Sequence, residues 1–181
     1  MVKRCLILGS ANCLRDDLAG ALSLGEYEGV VAAKHAGVEW TGELDAWVSL
    51  HPDRFQSLIA ERAKKGSPPA QRHYGHQAYP GVCEATDYKF KDQRRSGSSG
   101  LFACKVAIDL GFDRLVLCGI PLEKEFGRID GKNHWNGSTS FRQGFLEARP
   151  SLMGRARSMS GWTQLILGAP TSEWLNNSVG S

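Results

Sequence analysis

The sequence lacks the features that would place it directly in several large classes of protein. No apolar run approaches the ~20 residues that a membrane-spanning helix needs. The formal net charge is only +3 over 181 residues, which by itself is too small to indicate a nucleic-acid-binding protein. No G-x-G-x-x-G, Walker A, G-x-S-x-G or H-E-x-x-H motif occurs. Motifs therefore give no support to a dinucleotide enzyme, a P-loop NTPase, an α/β-hydrolase or a zincin.

Cysteine spacing excludes two further kinds of site. The five cysteines are an odd number and contain no C-x-x-C pair. Cys5, Cys104 and Cys118 lie within apolar patterns, where a free thiol behaves as a small buried hydrophobic group. The pair His73 and His76 has no Cys or acidic partner at ligand spacing, so no metal site is predicted. We expect a reduced, cytoplasmic protein.

Short apolar runs alternate with helical patterns along most of the chain. Strands are predicted at 4–8, 28–37, 46–50 and 114–118. Helices are predicted within 9–25, at 53–65, 101–110 and 141–149, and near 173–175, and a further regular element is expected at 161–167. Short strands are also expected near 79–83 and 88–90. This alternation predicts an α/β fold, with a Rossmann-like, mainly parallel sheet flanked by helices. We expect a single nucleotide-binding domain over 1–181, with an irregular insertion at 66–93 and a C-terminal tail at 150–181.

The loop after the first strand is one candidate ligand site, because ligands of open parallel sheets bind beyond the carboxyl ends of the strands. It contains Gly9, Ser10, Ala11 and Asn12. Gly9 suits a tight turn, and the first amides of the following helix could hold a phosphate. The alternative is that Gly9 only turns the chain while Ser10 or Asn12 caps the helix.

A second candidate is the segment RRSGSSG at 94–100. Ser98, Ser99 and Gly100 precede a predicted helix whose first turn has no acidic residue, so the positive end of its dipole is uncompensated. These small residues would let a phosphate approach the backbone, and Arg94 and Arg95 could add charge-assisted contacts. The alternative is a solvated linker with a serine cap.

Two histidines and one lysine are further candidates. His51 follows a predicted strand and precedes Pro52, so its side chain could face a ligand crevice. His134 lies in a polar loop after the last strong strand, where it could serve as a general base. Lys34 lies toward the carboxyl end of the second predicted strand and could contact a nucleotide. For each of these residues, a purely structural role is the alternative.

The stretch SSGLFACKVAIDLGFDRLVLCGI resembles the Ser-Gly, helix, Leu-Gly-aromatic, strand, Gly-Ile pattern of small bacterial sialyltransferases. A related pattern occurs in pterin pyrophosphokinase-like Rossmann proteins. The segment LILGSANCLRDDL is similar to the first nucleotide loop of the sialyltransferases, and RSMSGWTQLILGAPTSEWL resembles the tail of phage and prophage proteins. The acidic residue usual after Gly-Ile is Pro121 here, and Lys34 replaces an Asn at the end of the second strand. The tyrosines that assist the departing phosphate have no clear match.

The sialyltransferase resemblance implies a Rossmann-like protein that transfers a sugar from a CMP-type donor and needs no metal or other cofactor. It implies that the residues of the first loop line the nucleotide, and that Ser98, Ser99 and Gly100 touch its ribose or phosphate. It assigns His134 as the general base. One alternative is a non-catalytic phage accessory protein that retains the fold, in a bacterial or phage-infected cell. Another is a nucleic-acid-associated protein that uses basic residues at 64–65, 94–95 and 149–157.

Overall fold

Seven strands form one sheet in which every pairing is parallel, and they lie side by side in the order β5-β4-β3-β2-β1-β6-β7. The computed structural model describes residues 1–132 and 138–177. The strands are β1 (Arg4–Leu8), β2 (Gly29–Ala33), β3 (Ala46–Ser49), β4 (His73–Gly75), β5 (Glu84–Ala85), β6 (Arg114–Cys118) and β7 (Ala156–Ser158). This all-parallel sheet, flanked by helices, confirms the predicted Rossmann-like class.

The order of the strands determines where a ligand crevice can form. From β1 the chain adds β2, β3, β4 and β5 outward in one direction, then returns to the other side of β1 for β6 and β7. The direction of winding therefore reverses between β1 and β6. In open α/β sheets this switch point leaves a crevice outside the carboxyl ends of the strands.

Helices cover both faces of the sheet. They are α1 (Leu14–Leu24), α2 (Ala36–Glu39), α3 (Pro52–Lys64), α4 (Ser98–Asp109), α5 (Ser138–Leu152), α6 (Gly161–Leu167) and α7 (Ser172–Asn176). Pro52 begins α3 at a position where its missing amide hydrogen costs no helical bond. The Thr171 hydroxyl accepts a hydrogen bond from the Trp174 amide at 3.1 Å and so begins α7.

The sheet separates two hydrophobic cores because successive side chains of a strand point to opposite faces. In β1, Cys5 and Ile7 pack into one core with α4 and α5, whereas Leu6 and Leu8 pack into the other with α1 and α3. Both faces of the central strands are thus buried. This explains why β1 and β6 are continuous apolar runs.

The strongest sequence patterns gave the most accurate boundaries. The predictions for β1 and β6 are confirmed residue for residue, and α3 begins one residue earlier than predicted. Helix α4 begins three residues before the predicted start, and α5 extends beyond 141–149 at both ends. The 66–93 segment contributes β4 and β5 to the sheet. The region near 79–83 forms an isolated antiparallel bridge between Tyr79 and Cys83, and no strand occupies 88–90.

Three side chains differ from the helical faces that the apolar pattern predicts. Leu22 lies on the predicted inward face of α1 but is 52% exposed, and Ala63 on α3 is also exposed. Arg62, which precedes Ala63, is only 2% exposed. Its guanidinium donates hydrogen bonds to four backbone carbonyl groups, those of Pro68, Gly37, Gly42 and Trp40. These bonds make burial of the charged residue favourable, so it replaces alanine on the inward face.

All five cysteines are buried free thiols. Over the described ranges, no helix combines the length and apolar character that crossing a membrane would require.

Candidate functional site: a cleft at the carboxyl edge of the sheet

The ends of β1 and β6 approach each other so closely that only glycine fits. The Gly9 amide donates to the Cys118 carbonyl at 2.8 Å, and a Cβ on Gly9 would lie 2.5 Å from the Gly119 carbonyl oxygen. Gly119 has a φ of 70°, a left-handed conformation that glycine adopts without steric cost. The two chains then diverge at the switch point.

A cleft of ≈ 600 Å³ opens where these chains diverge. Its lining comes from the loops after β1, β2, β3 and β6, from one face of α3, from the beginning of α4, and from residues on either side of 133–137. The lining residues are Gly9, Ser10, Ala33, Lys34, His35, Ser49, His51, Arg54, Ser57, Leu58, Glu61, Ser98, Ser99, Gly100, Gly119, Ile120, Arg128, Lys132 and Phe141. The structure thus brings together Gly9, Ser10, Lys34, His51, Ser98, Ser99 and Gly100 from the predicted site.

The N-terminus of α4 faces this cleft. Gly97 and Ser98 both have positive φ values, 66° and 77°, and they turn the chain sharply into the helix. The Gly100 amide donates to the Ser98 hydroxyl at 3.2 Å, whereas the Ser99 amide donates to no other described residue. The first turn carries no acidic side chain. The positive end of this 12-residue helix therefore remains available to an anion in the cleft.

The first loop is positioned differently from the prediction. The amides of Ala11 and Asn12 donate to the carbonyls of Gly119 and Gly127 at 3.1 and 2.8 Å. Ala11 is fully buried and forms an antiparallel bridge with Arg128. Neither Ala11 nor Asn12 lines the cleft. Because the carbonyls of Gly119 and Gly127 accept these amide hydrogens, Ala11 and Asn12 do not form the expected phosphate site at the start of α1.

Ser10 connects two loops of the cleft. Its hydroxyl donates to the Ala33 carbonyl at 3.2 Å and accepts from the Ala36 amide at 3.2 Å. The alternative role, in which Ser10 or Asn12 caps α1, is wrong: the N-cap residue is Cys13, without a side-chain cap bond. Ser10 instead fixes the loop after β2, which carries Lys34 and His35.

Positive charge predominates in the lining. Lys34, Arg54, Arg128 and Lys132 contribute cations, and Glu61 is the one acidic lining residue among those described. Arg128 pairs with the nearby Asp130 at 2.7 Å. Burial, together with Arg128 and Arg54, lowers the pKa of Lys34 below its ordinary value. The cleft is therefore suited electrostatically to an anionic ligand.

Two histidines of the lining are biased toward the neutral form. Burial lowers the pKa of His51, and the charges of Lys34 and Arg54 lower it further. Burial also lowers the pKa of His35, whose Nε2 lies 3.6 Å from a carboxylate oxygen of Asp130. His134, the predicted general base, lies outside the described residues.

Arg94 and Arg95 are not part of the cleft lining. Their side chains are exposed, and their backbone amides donate to the Glu147 carboxylate at 2.7 and 2.9 Å. Helix α5 packs closely here, because a Cβ on Gly144 would lie 2.5 Å from the Cα of Gly97. The turn before α4 therefore packs against α5. Arg94 and Arg95 consequently do not form the phosphate contacts that were predicted for them beside Ser98–Gly100.

Sequence reasoning missed several lining residues. One face of α3, which begins at Pro52, contributes four lining residues at helical spacing: Arg54, Ser57, Leu58 and Glu61. This spacing could have predicted from the sequence that they share a face. His35 was adjacent to a predicted site residue. Arg128 and Lys132 had no sequence signal, because their position depends on the pairing of segment 127–129 with the first loop. No cluster of three potential metal ligands occurs within 1–132 and 138–177.

Comparison with known proteins identifies the fold. No protein-family model and no curated protein matches the chain. A structure of the sialyltransferase CST-II in complex with a trisaccharide acceptor and CMP matches with a TM-score of 0.62 and 14% identity, covering 97% of this chain and 88% of that one. CstII from Campylobacter jejuni in complex with the substrate analogue CMP-3FNeuAc matches with a TM-score of 0.58 and 14% identity, covering 98% and 88%. The chain therefore has a sialyltransferase-like α/β fold over nearly its whole length.

Proposed function

We propose that this protein binds a nucleotide or nucleotide-sugar of the CMP type in the cleft at the carboxyl edge of its sheet. One observation carries the proposal: the uncompensated N-terminus of α4 and four cationic side chains line the same cleft at the topological switch point. The solved proteins of the same fold were crystallised with CMP or a CMP-sugar analogue, which supports this choice of ligand.

The ligand phosphate is proposed to lie at Ser98, Ser99 and Gly100, where the Ser99 amide, which has no acceptor among the described residues, and the helix dipole favour negative charge. The nucleoside would extend along Gly9 and Ser10, which line the same cleft. These assignments require neither a metal ion nor a further cofactor. The five reduced thiols are consistent with a cytoplasmic location, which is part of the proposal.

We further propose that the bound nucleotide-sugar is a donor in glycosyl transfer. The bond between the anomeric carbon and the phosphate oxygen would break, with its electron pair remaining on the phosphate. The acceptor hydroxyl oxygen would bond to the anomeric carbon, and His134 would accept the hydroxyl proton. The α4 amides would stabilise the charge that develops on the departing phosphate.

Nucleotide binding is tested first, by thermal unfolding with CMP, CDP, UDP, GDP and AMP. A nucleotide at 100 times its Kd should stabilise the protein by ~2.7 kcal/mol. We expect CMP to give the largest shift among the monophosphates. No shift with any nucleotide would contradict the proposal. Binding to DNA or RNA that weakens steeply with salt would instead favour the nucleic-acid alternative.

Catalysis is tested by incubation with radiolabelled CMP-sugars, in which transfer or slow hydrolysis is expected. His134→Ala should remove turnover while leaving the CMP-induced thermal shift unchanged. Nucleotide binding without transfer or hydrolysis of any donor would favour the non-catalytic accessory protein. Equal turnover in the variant would exclude His134 as the base.

A further inference from the structure

Lys34 has an unfavourable backbone conformation that the core holds in place. Its φ is 50°, in the left-handed region that residues with a Cβ seldom adopt. The Lys34 amide donates to the Val48 carbonyl at 3.0 Å, and its carbonyl accepts from the fully buried Trp47 indole nitrogen at 2.8 Å. Such strain persists only where the surrounding structure imposes it, and it clusters at functional sites.

The side chain of Lys34 is half-buried in the cleft lining and forms no ion pair with any residue in 1–132 or 138–177. The charges of Arg128 and of Arg54 on α3 both repel that of Lys34, and Lys34 in turn acts on the nearby His51. The nearby Asp130 is already bound to Arg128. The protein therefore holds an ammonium group where burial and like charges both disfavour it.

Two further titratable residues of the lining do not offset this repulsion of the Lys34 charge. Glu61 and His35 also line the cleft, and Lys132 adds a further positive charge near His35. Among the described lining residues, Glu61 is the one acidic side chain, whereas four are basic: Lys34, Arg54, Arg128 and Lys132. The lining therefore lacks the negative charge needed to balance its cations. A ligand that brings negative charge into this space would relieve the repulsion.

We infer that Lys34 is the phosphate-binding cation of the cleft, held in a strained and electrostatically unfavourable position at a cost to the stability of the ligand-free protein. The inference rests on the proposed function and specifies which side chain recognises the phosphate. Its ammonium provides three donors for phosphate oxygens. A residue with a purely structural role would stabilise the ligand-free protein. The left-handed backbone and the repelled charge of Lys34 instead make the ligand-free protein less stable.

The inference predicts opposite effects of one substitution on stability and on binding. Lys34→Met keeps the aliphatic length but removes the charge, and Lys34→Asn places at this position a residue that is enriched in the left-handed region. Both variants should unfold at a higher temperature than the parent without ligand. Both should bind CMP more weakly by roughly ten- to hundredfold. Binding of cytidine, which has no phosphate, should be unchanged.

The experiment measures the Kd of CMP, cytidine and inorganic pyrophosphate by isothermal titration calorimetry, for the parent and each variant. Lys64→Met is the matched control, because it removes one positive charge from an exposed position on α3 that does not line the cleft. The control should keep the parent's preference for CMP over cytidine. Two independent variants at position 34 keep the test valid if one of them does not fold.

Each outcome decides between the inference and the proposed function. Loss of the preference for CMP over cytidine in the position-34 variants alone supports the inference. Retention of that preference, or a lower unfolding temperature of both free variants, overturns it while CMP binding stands. If the parent binds pyrophosphate but no nucleotide, the proposed function fails, and weaker pyrophosphate binding by Lys34→Met still supports the inference. Binding of none of these compounds overturns both.

Discussion

The hydroxyl of Ser99 accepts a hydrogen bond from the Leu50 amide at 3.3 Å, which links the N-terminus of α4 to the end of β3. Ser99 also lines the cleft and is itself buried. In the proposed site, the same residue would therefore supply an amide for the ligand, and its hydroxyl joins the helix that carries this amide to the end of β3. This link relates a local helix start to the geometry of the whole site.

Removal of that hydroxyl should affect binding more than folding. We expect Ser99→Ala to lower the free energy of unfolding by only about 1 kcal/mol, the usual net contribution of one hydrogen bond. CMP affinity should fall severalfold, because the helix end is no longer fixed to β3. Calorimetric titration and urea unfolding measure the two effects.

The control for this variant is Ser23→Ala on α1. It also removes a serine hydroxyl that forms one hydrogen bond, to the Gly20 carbonyl at 2.6 Å, but Ser23 is exposed and does not line the cleft. The control should therefore bind CMP as tightly as the parent. Equal CMP affinity in the two variants would refute the positioning role of Ser99.

A methyl group at the first cleft glycine should destabilise the fold. In Gly9→Ala, the new Cβ would lie 2.5 Å from the Gly119 carbonyl oxygen, part of a backbone that cannot move without disturbing β6. We expect a loss of about 3 kcal/mol in the free energy of unfolding, typical of strong overpacking. Gly127→Ala is the control, because its Cβ would be 3.5 Å from the Asn12 side chain, an ordinary contact. Similar urea midpoints for both variants would disprove the close-packing explanation.

Arg62 should be essential for the fold although it is charged. Both Arg62→Met and Arg62→Lys are expected to reduce the free energy of unfolding by more than about 3 kcal/mol, because each substitution removes several bonds from a charged donor that contribute about 1.5–3 kcal/mol each. Lysine should not rescue the protein, since a single ammonium cannot reach carbonyls spread over the planar fork of a guanidinium. Lys64→Met on the same helix is the control. Full stability of Arg62→Lys would contradict this account.

The sequence predicted the central strands well and the edge strands poorly, for a physical reason. Strands β1 and β6 are buried on both faces, so each is a continuous apolar run that ends at a glycine. Strand β7 is only Ala156–Ser158 and joins the sheet through backbone pairing with β6, which leaves little hydrophobic pattern to read. Strands β4 and β5 are also short, with three and two residues.

The site was predictable where it depends on the ends of strands and not where it depends on contacts between distant segments. The rule that ligands bind at carboxyl ends selected Gly9, Ser10, Lys34, His51 and the Ser98–Gly100 segment. Arg94 and Arg95 were chosen by adjacency to that segment, but the bonds that their amides donate to Glu147 orient this stretch toward α5. The helix that packs against a turn determines which side of the turn faces the cleft. The local sequence does not reveal which helix packs there.

Acid should destabilise the protein partly through His73. This side chain packs near Trp47 and Phe55, with ring centroids 6.0 and 5.6 Å apart, and burial together with Arg62 lowers its pKa. The unfolded chain therefore binds more protons between that lowered pKa and the ordinary value of about 6.5, so stability is lost as pH falls through this interval. His35 and His51 contribute with the same sign.

Substitution of His73 separates its contribution from the others. The fall in unfolding free energy between pH 7 and pH 5 should be smaller in His73→Gln than in the parent. The same variant measured at pH 8.5, where the His73 of the parent is neutral, reports the packing change alone. Unfolding by urea at the three pH values gives the comparison, and an unchanged slope between pH 7 and pH 5 would rule out His73 as a contributor.

The most direct measurement is a titration of ¹⁵N-labelled protein with CMP, followed through the backbone amide resonances. If the N-terminus of α4 binds the phosphate, the amides of Ser99 and Gly100 should show large, saturable shifts that cytidine does not reproduce, while resonances of 149–157 stay in place. Saturable shifts confined to 149–157 or to another surface, with Ser99 and Gly100 unaffected, would contradict the account.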